Sequence, residues 1–262
     1  MMVAVESAYG LVGRDTVLRE IRTAVEDLTD GRGRLVLITG EPGMGKSALL
    51  RVAIDLAAEA GVGAFAAHCA PEPGAPPLWC WTQLLEALRS EADLDPWLIS
   101  HLLASEATTE PAVVGPDLTF RLYEAVAAAL QERARGGPIL LAIDDLQWAG
   151  DQSVALLGFL ARRLASAAVL LFGTYRDAEA GPELRAVAAR AEVQTLFGLD
   201  QAAVGDMIAQ VQGTRPDPVL ASAVRDRADG NPLFVRELTR LAIASGGWSF
   251  SDGTAYAVPD SI

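Results

Sequence analysis

The chain has 262 residues, 51% hydrophobic and 21% charged, so it can bury a large core in one domain or in two smaller ones. Its apolar runs stop short of the roughly eighteen residues of a membrane span, its N-terminus lacks a signal-peptide pattern, and two cysteines provide neither a disulfide framework nor a metal quartet. A net charge of −13 predicts no direct nucleic-acid contact, and the short apolar runs predict no membrane partner. The cysteine usage predicts a reducing cytoplasmic location.

The first half of the chain alternates between helical and strand patterns. Apolar residues at helical spacing and short aliphatic or β-branched runs predict the elements in order. They are a helix at 13–30, a strand at 34–39, a helix at 47–60, a strand at 62–67, and helices near 79–90 and 117–135. The strand at 34–39 is bounded by glycines and indicates a buried parallel strand, whereas residues 91–115 are weakly patterned.

The second half continues this alternation and then becomes helical. Its patterns predict strands at 139–143, 168–174 and 193–197, helices at 153–165, 201–212, 217–227 and 231–244, and a hairpin at 246–258. Alternating strands and helices favour a parallel sheet with right-handed crossovers. We therefore predict an α/β domain at 1–198, a small helical domain at 199–245, and at 246–262 a hairpin that begins a truncated further domain.

Lys46 is the only lysine among 21 basic residues. It lies in the segment Gly-Glu-Pro-Gly-Met-Gly-Lys-Ser at 40–47, which matches the phosphate-binding pattern G-x-x-x-x-G-K-[ST] between a predicted strand and a predicted helix. Glycines let successive backbone N–H groups point at phosphate oxygens, and the helix N-terminus adds positive potential. The alternative is a glycine-rich turn with an incidental lysine.

The pattern gives each polar group of this segment a role. Lys46 would reach the β- and γ-phosphates of ATP, and the Ser47 hydroxyl would bind Mg²⁺. The candidate nucleotide-binding residues of the segment are Gly40, Gly43, Met44, Gly45, Lys46, Ser47 and Ala48.

Two adjacent carboxylates, Asp144 and Asp145, follow the predicted strand at 139–143. Ligands of open parallel sheets bind at the carboxyl ends of strands, so this position suits a second phosphate-site motif. Asp144 would hold Mg²⁺ through water, and Asp145 would act as the general base that orients or deprotonates the attacking water. The alternative is a helix N-cap or a solvated loop.

Arg176 follows the predicted strand at 168–174. If that strand lies between the strands at 34–39 and 139–143, the Arg176 charge would stand beside the terminal phosphate and could stabilise it. The alternative is a surface arginine paired with Asp177.

The remaining residues with metal-binding or redox chemistry suggest structural roles. His68 and His101 have no partner at metal-ligand spacing in the sequence, which favours structural histidines. Cys69 and Cys80 are predicted to be small buried hydrophobic residues, with the alternative that Trp-Cys-Trp at 79–81 lines a groove.

Five segments in this order resemble the signal-transducing ATPases of the AAA-like branch known as STAND, in particular the N-terminal ATPase module of large LuxR-type bacterial transcription regulators related to the maltose activator. The segments are Leu-Val-Gly-Arg at 11–14, the phosphate loop at 40–47, Asp-Asp-Leu-Gln-Trp-Ala at 144–149, Gly-Thr-Tyr-Arg-Asp at 173–177 and Gly-Asn-Pro-Leu-Phe at 230–234. The resemblance covers nearly the whole chain.

This resemblance implies a P-loop NTPase of the ASCE type, with a five-stranded parallel sheet of order 5-1-4-3-2 between helices and a helical lid after residue 199. It implies that Val12, Gly13 and Arg14 contact adenine, and that Pro232 packs on the nucleotide from the lid. Arg176 matches the arginine called sensor 1. In such proteins, exchange of ADP for ATP moves the lid and permits self-association, and hydrolysis resets it.

Two departures from the family pattern bear on activity. Asp145 stands where many AAA-type ATPases have glutamate, and its shorter reach predicts slow hydrolysis. Gly150 stands where the resemblance leads us to expect aspartate. An arginine finger is not evident in the sequence.

The leading hypothesis is a regulatory switch that binds ATP or ADP with Mg²⁺, hydrolyses ATP slowly, and controls a DNA-binding part located C-terminal to this segment. One alternative is a self-contained P-loop phosphotransferase acting on a small acceptor. Another is an initiator-type or clamp-loading AAA ATPase, which would need a finger arginine and a basic DNA-binding surface.

Overall fold

The computed structural model describes residues 10–71, 77–89, 94–102, 116–245, 247–248, 250–251 and 255–256. Among these residues, five strands separated by one or more helices lie before residue 196, and three helices and two short strands follow. The helices are α1 (Asp15–Thr29), α2 (Lys46–Glu59), α3 (Trp79–Leu88), α4 (Pro96–Leu102), α5 (Pro116–Arg135), α6 (Gly150–Arg163), α7 (Pro182–Ala188), α8 (Gln201–Gln212), α9 (Pro218–Ala228) and α10 (Pro232–Ala244). The strands are β1 (Arg34–Thr39), β2 (Gly63–His68), β3 (Ile139–Asp144), β4 (Val169–Tyr175), β5 (Glu192–Thr195), β6 (Phe250–Ser251) and β7 (Ala255–Tyr256).

The first five strands form one parallel sheet in the order β2-β3-β4-β1-β5. Read from its other edge this is 5-1-4-3-2, so the order implied by the resemblance is confirmed. The central strand β4 is buried along its full length, and β1 and β3 are buried except at one terminal residue each. Strands covered on both faces require continuous apolar sequence, which is the pattern these segments carry.

Most predicted elements are present within a few residues of their predicted ends. The bounds of β1 and α8 agree with the predicted 34–39 and 201–212. Two seven-residue helices, α4 and α7, were not predicted, and α4 lies inside the weakly patterned stretch 91–115. The antiparallel pair β6 and β7 confirms the hairpin, although much of 246–258 lies outside the described residues.

Contacts between backbones divide the chain into two compact units. The helical unit includes residues 196–262 together with 1–18 and the loop segment 40–48, within the described ranges given above. Its core joins α8, α9 and α10 through Val204, Ile208, Val224 and Val235, all of which are nearly inaccessible to solvent. A small apolar interior therefore holds the three helices together.

The sheet unit comprises residues 19–39 and 49–195, again within the described ranges. Its core packs the sheet against helices, and Trp81 of α3 is among its largest fully buried side chains. The Trp81 indole N–H donates to the Ser153 carbonyl at 3.0 Å, so the one polar atom of this side chain is satisfied.

Within the described part of the chain, no helix combines the length and the apolar character needed to cross a bilayer.

Candidate functional site

The segment 40–47 leaves β1 after Thr39 and enters α2 at Lys46. Gly43 and Gly45 adopt left-handed backbone conformations, with φ of 81° and 93°. These angles are strained for residues with a side chain, so glycine is needed for the chain to curl here. No described heavy atom lies within 4 Å of the point where a Cβ on Gly45 would stand, so the constraint at Gly45 comes from φ alone.

The Lys46 side chain is folded back onto this segment. The residue is only 6% exposed, and its Nζ donates to the carbonyls of Gly40 at 2.8 Å and Glu41 at 2.9 Å. Ser47 is exposed and Ala48 is partly buried. The structure therefore places the only ammonium side chain of the sequence against the main chain of the predicted phosphate loop.

A side chain that the sequence analysis did not single out also contacts this loop. Asn231 is 5% exposed and uses both ends of its amide. Its Oδ1 accepts from the Leu233 N–H at 3.0 Å and so caps α10, while its Nδ2 donates to the Pro42 carbonyl at 2.8 Å. A Cβ on Gly43 would stand 2.6 Å from Asn231 Oδ1, so only glycine permits this approach. The loop and the start of α10 are thus joined by one buried amide.

Arg14 makes a second connection to the loop. Its guanidinium donates to the carbonyls of Phe197 at 2.8 Å and Met44 at 3.2 Å, and burial lowers the pKa of Arg14 from its usual value. Both contacts are to main-chain oxygens, so the structure gives Arg14 a role in holding two segments together. Two contacts stay predictions. One is that of adenine with Val12, Gly13 and Arg14, and the other is that of the nucleotide with Pro232.

In the sheet unit, one hydroxyl connects Asp144, the predicted Mg²⁺ ligand, with Asp145, the predicted general base. Asp144 is the last residue of β3, and Thr174 lies in the adjacent strand β4. The Thr174 hydroxyl donates to Asp144 Oδ1 and accepts from the Asp145 N–H at 3.0 Å. Asp145 is held at φ 58°, a conformation that few residues other than glycine, asparagine and aspartate adopt readily. The Asp145 main chain is therefore held from β4 in a left-handed conformation that suits aspartate.

The Asp145 carboxylate is also held by a side-chain network. Gln147 Nε2 donates to Asp145 Oδ1 at 2.8 Å, and the Arg176 N–H donates to Gln147 Oε1 at 3.1 Å. Arg176 Nε lies 3.9 Å from Asp145 Oδ1, while its Nη1 donates to Glu179 Oε1 at 2.9 Å. The alternative that paired Arg176 with Asp177 is therefore wrong, because Arg176 pairs with Glu179. The alternative of a solvated loop is not supported, because the carboxylates of Asp144 and Asp145 both accept hydrogen bonds from side chains.

The interpretation of His68 as an isolated histidine is wrong. His68 ends β2 directly opposite Asp144 of β3, and its Nδ1 lies 3.9 Å from Asp144 Oδ2. One ligand atom from each of His68, Asp144 and Asp145 falls within 4.8 Å of the others, an arrangement that could hold a divalent ion. Strand register creates this grouping, and register is not visible in the spacing of the residues along the chain.

We expect Thr174→Val to lower the rate of phosphate release from ATP, because Asp144 and Asp145 lose their common hydrogen-bond partner. The fold should stay intact. The substitution removes the donor to Asp144 and the acceptor for the Asp145 N–H, which costs about 1–3 kcal/mol of unfolding free energy at this buried position. Thr174→Ser keeps the hydroxyl and loses a methyl group, so it is the matched control. Urea denaturation should show both variants destabilised, whereas phosphate release should fall in the valine variant only. Equal phosphate release by the two variants would show that the hydroxyl does not position the carboxylates.

Comparison with known proteins identifies the family and the fold of the chain. The AAA ATPase domain family matches residues 10–172, which is more than half of the chain. No curated protein matches the sequence. The solved structure of Drosophila ORC bound to DNA is similar with a TM-score of 0.61 at 16% identity, covering 94% of this chain and 59% of that chain.

Two further solved structures share the fold. A STAND protein with a tetratricopeptide repeat sensor from Pyrococcus horikoshii gives a TM-score of 0.53 at 19% identity over 92% of this chain and 30% of that chain. Domain III of the Thermotoga maritima replication initiation protein DnaA gives 0.52 at 14% identity, covering 92% of this chain and 89% of that chain. The chain therefore spans less than two thirds of the ORC and STAND structures. At these identities the likeness shows the P-loop NTPase fold, and the matched family shows that the chain belongs to the AAA ATPase domain family.

Proposed function

We propose that this chain is an ATP-binding regulatory module whose nucleotide state is transmitted to its helical segment. The observation that carries the proposal is the hydrogen bond from Asn231 Nδ2 to the Pro42 carbonyl, because it joins the predicted phosphate loop to the first residues of α10. A change in the loop on phosphate binding would alter this bond, and α10 would respond.

The residues of the loop suit a polyphosphate. The backbone curls through Gly43 and Gly45, α2 begins at Lys46, and the Lys46 ammonium already donates to oxygen atoms of the loop. A phosphate oxygen is a stronger acceptor than a peptide carbonyl, so the ammonium would exchange carbonyls for phosphate. We assign phosphate binding to Gly40, Gly43, Met44, Gly45, Lys46, Ser47 and Ala48, and contact with the base and the lid side of the nucleotide to Val12, Gly13, Arg14 and Pro232.

We assign Mg²⁺ binding to Ser47 and Asp144. Bound Mg²⁺ would neutralise part of the charge on the β- and γ-phosphates and fix their positions. Asp145 would accept a proton from the attacking water, and Gln147 and Arg176 would hold the orientation of its carboxylate. The short Asp145 side chain leads us to propose slow, regulatory hydrolysis, well below the enzyme median of about 10 per second.

The five matching segments support a more specific proposal, which is that the chain is the STAND-type ATPase module of a LuxR-type transcription regulator in the cytoplasm. The net charge of −13 favours placing the DNA-binding part elsewhere in such a protein. ATP binding would then control self-association. The phosphotransferase alternative predicts turnover that depends on a small acceptor, and no contact among the described residues favours it.

Calorimetric titration of the purified chain with ATP and ADP in the presence of Mg²⁺ tests the proposal. We expect binding of both nucleotides, and we expect hydrogen exchange in α10 to differ between the ATP and ADP complexes. Absence of any heat signal would refute nucleotide binding. Identical exchange in the two complexes would refute transmission to the helical segment while leaving binding intact.

Substitutions at Asn231 separate its two hydrogen bonds. Asn231→Asp keeps the acceptor that caps α10 but loses the donor to the Pro42 carbonyl, whereas Asn231→Ala loses both. We expect the alanine variant to lose about 1–2 kcal/mol of unfolding free energy through the missing cap. Both variants should release ADP faster than the wild type in stopped-flow measurements with a fluorescent analogue. An unchanged release rate in Asn231→Asp would exclude the amide as the connection between loop and helix.

A further inference from the structure

The two cysteines of the chain, Cys69 and Cys80, are brought together by the fold. Cys69 follows the last residue of β2, and its N–H donates to the Asp144 carbonyl at 3.0 Å. Cys80 is the second residue of α3. Both are buried free thiols, 3% and 2% exposed, and the chain has no other cysteine.

The two thiols influence each other's pKa. A hydrogen bond with the Cys69 thiol is the largest cause that lowers the pKa of Cys80, and desolvation by burial opposes it. Backbone N–H groups of Trp81 and Cys80, in the first turn of α3, lower that pKa further. Both cysteines also line one cavity, so they are candidates for a disulfide, whose S–S bond is about 2.05 Å long.

A cavity gives small molecules access to the pair. It measures about 390 Å³ and is lined by both cysteines together with Pro77, Trp79, Trp148 and Asp151. Trp148 is 41% exposed, so the cavity has a wall in contact with solvent. A molecule the size of hydrogen peroxide would fit easily, because a cavity of only about 10–15 Å³ on this measure holds a water molecule.

We propose that Cys69 and Cys80 form a reversible thiol–disulfide site that is oxidised by small hydroperoxides. The Cys80 thiolate attacks one oxygen of hydrogen peroxide, the O–O bond breaks, and Cys80 becomes a sulfenic acid with release of hydroxide. The Cys69 sulfur then attacks the Cys80 sulfur, the S–O bond breaks, and the thiol proton leaves with the hydroxyl group as water. In total, two thiols and one peroxide give one disulfide and two waters, and a dithiol reductant reverses the change.

The bond would connect the end of β2 to α3. Since β2 pairs with β3 and the Cys69 N–H is bonded to the Asp144 carbonyl, the disulfide would fix the sheet edge beside the predicted magnesium ligand. The proposal does not depend on nucleotide binding, because it concerns thiol chemistry in the chain alone.

The experiment treats the reduced, folded chain with about one equivalent of hydrogen peroxide and counts thiols after denaturation. We expect the count to fall from two to zero, the mass to fall by about 2 Da, and dithiothreitol to restore both thiols. Proteolysis without reductant should yield a peptide pair linked through Cys69 and Cys80. Retention of both thiols, or disulfides formed only between chains, would overturn the proposal.

Single substitutions test the order of the steps. In Cys69→Ser the Cys80 sulfenic acid has no resolving thiol, so dimedone should label it. In Cys80→Ser the labelling of Cys69 should be slower, because Cys69 does not lie in the first turn of a helix. The wild-type chain unfolded in guanidinium is the control, because both thiols should then react at similar rates. Equal labelling of the two folded variants would show that the fold does not activate Cys80. The mapping of the disulfide in the wild type decides the proposal even if a variant fails to fold.

Discussion

Lys46→Ala is expected to weaken the binding of both ATP and ADP by about 100-fold, because a charge-assisted hydrogen bond to phosphate contributes about 1.5–3 kcal/mol. Lys46 is the only lysine of the sequence and stands at the start of α2. No neighbouring ammonium group can therefore replace it in the variant. Isothermal titration calorimetry measures the loss directly.

The control for Lys46→Ala is Arg51→Ala, which removes one positive charge from an exposed position of the same helix α2. Nucleotide affinity should be unchanged in this variant. Because Lys46 also donates to two loop carbonyls, thermal denaturation of Lys46→Ala is needed to confirm that it remains folded. Wild-type affinity in a folded Lys46→Ala chain would reject the assignment of the phosphate loop.

Asp145→Asn is expected to leave nucleotide affinity within about twofold of the wild type and to reduce hydrolysis by about 10²–10⁴-fold, the range of general-base catalysis. The physical basis is the similarity of the two side chains. Asparagine tolerates the left-handed conformation at φ 58°, and its Oδ1 can still accept from Gln147 Nε2, but it cannot take a proton from water. Single-turnover release of phosphate measures the chemical step.

The matched control is Asp151→Asn, which makes the same change of charge at an exposed residue of α6. Its hydrolysis rate should equal that of the wild type. If Asp145→Asn hydrolysed ATP at the wild-type rate, another group would have to serve as the base, and the role given to the Asp145 network would be incorrect.

The strands and long helices could be predicted because each carries a complete physical signal in its own residues. The strand β1 is an aliphatic run between glycines, and α8 begins after Asp200, whose side chain accepts from the Ala203 N–H, and ends at Gly213 in a left-handed conformation. The helices α4 and α7 have seven residues each, so they contain too few turns for apolar periodicity to distinguish them from loops.

The candidate site was predictable only in part. The phosphate loop and the pair Asp144 and Asp145 have local patterns, so the sequence identifies them. His68 becomes a neighbour of Asp144 through the register of β2 on β3, and Asn231 meets Pro42 across 189 residues of sequence. Such contacts are set by tertiary packing, and spacing along a single chain contains no information about them.

Pro232, the residue after Asn231, protects the Asn231 side-chain amide from deamidation. Spontaneous deamidation of asparagine starts when the backbone nitrogen of the following residue attacks the side-chain carbonyl and loses its hydrogen. Pro232 has no such hydrogen, so the ring-closed intermediate cannot form by this route. The amide that donates to the Pro42 carbonyl is therefore shielded from deamidation by this route, which would replace its N–H donor by a carboxylate oxygen.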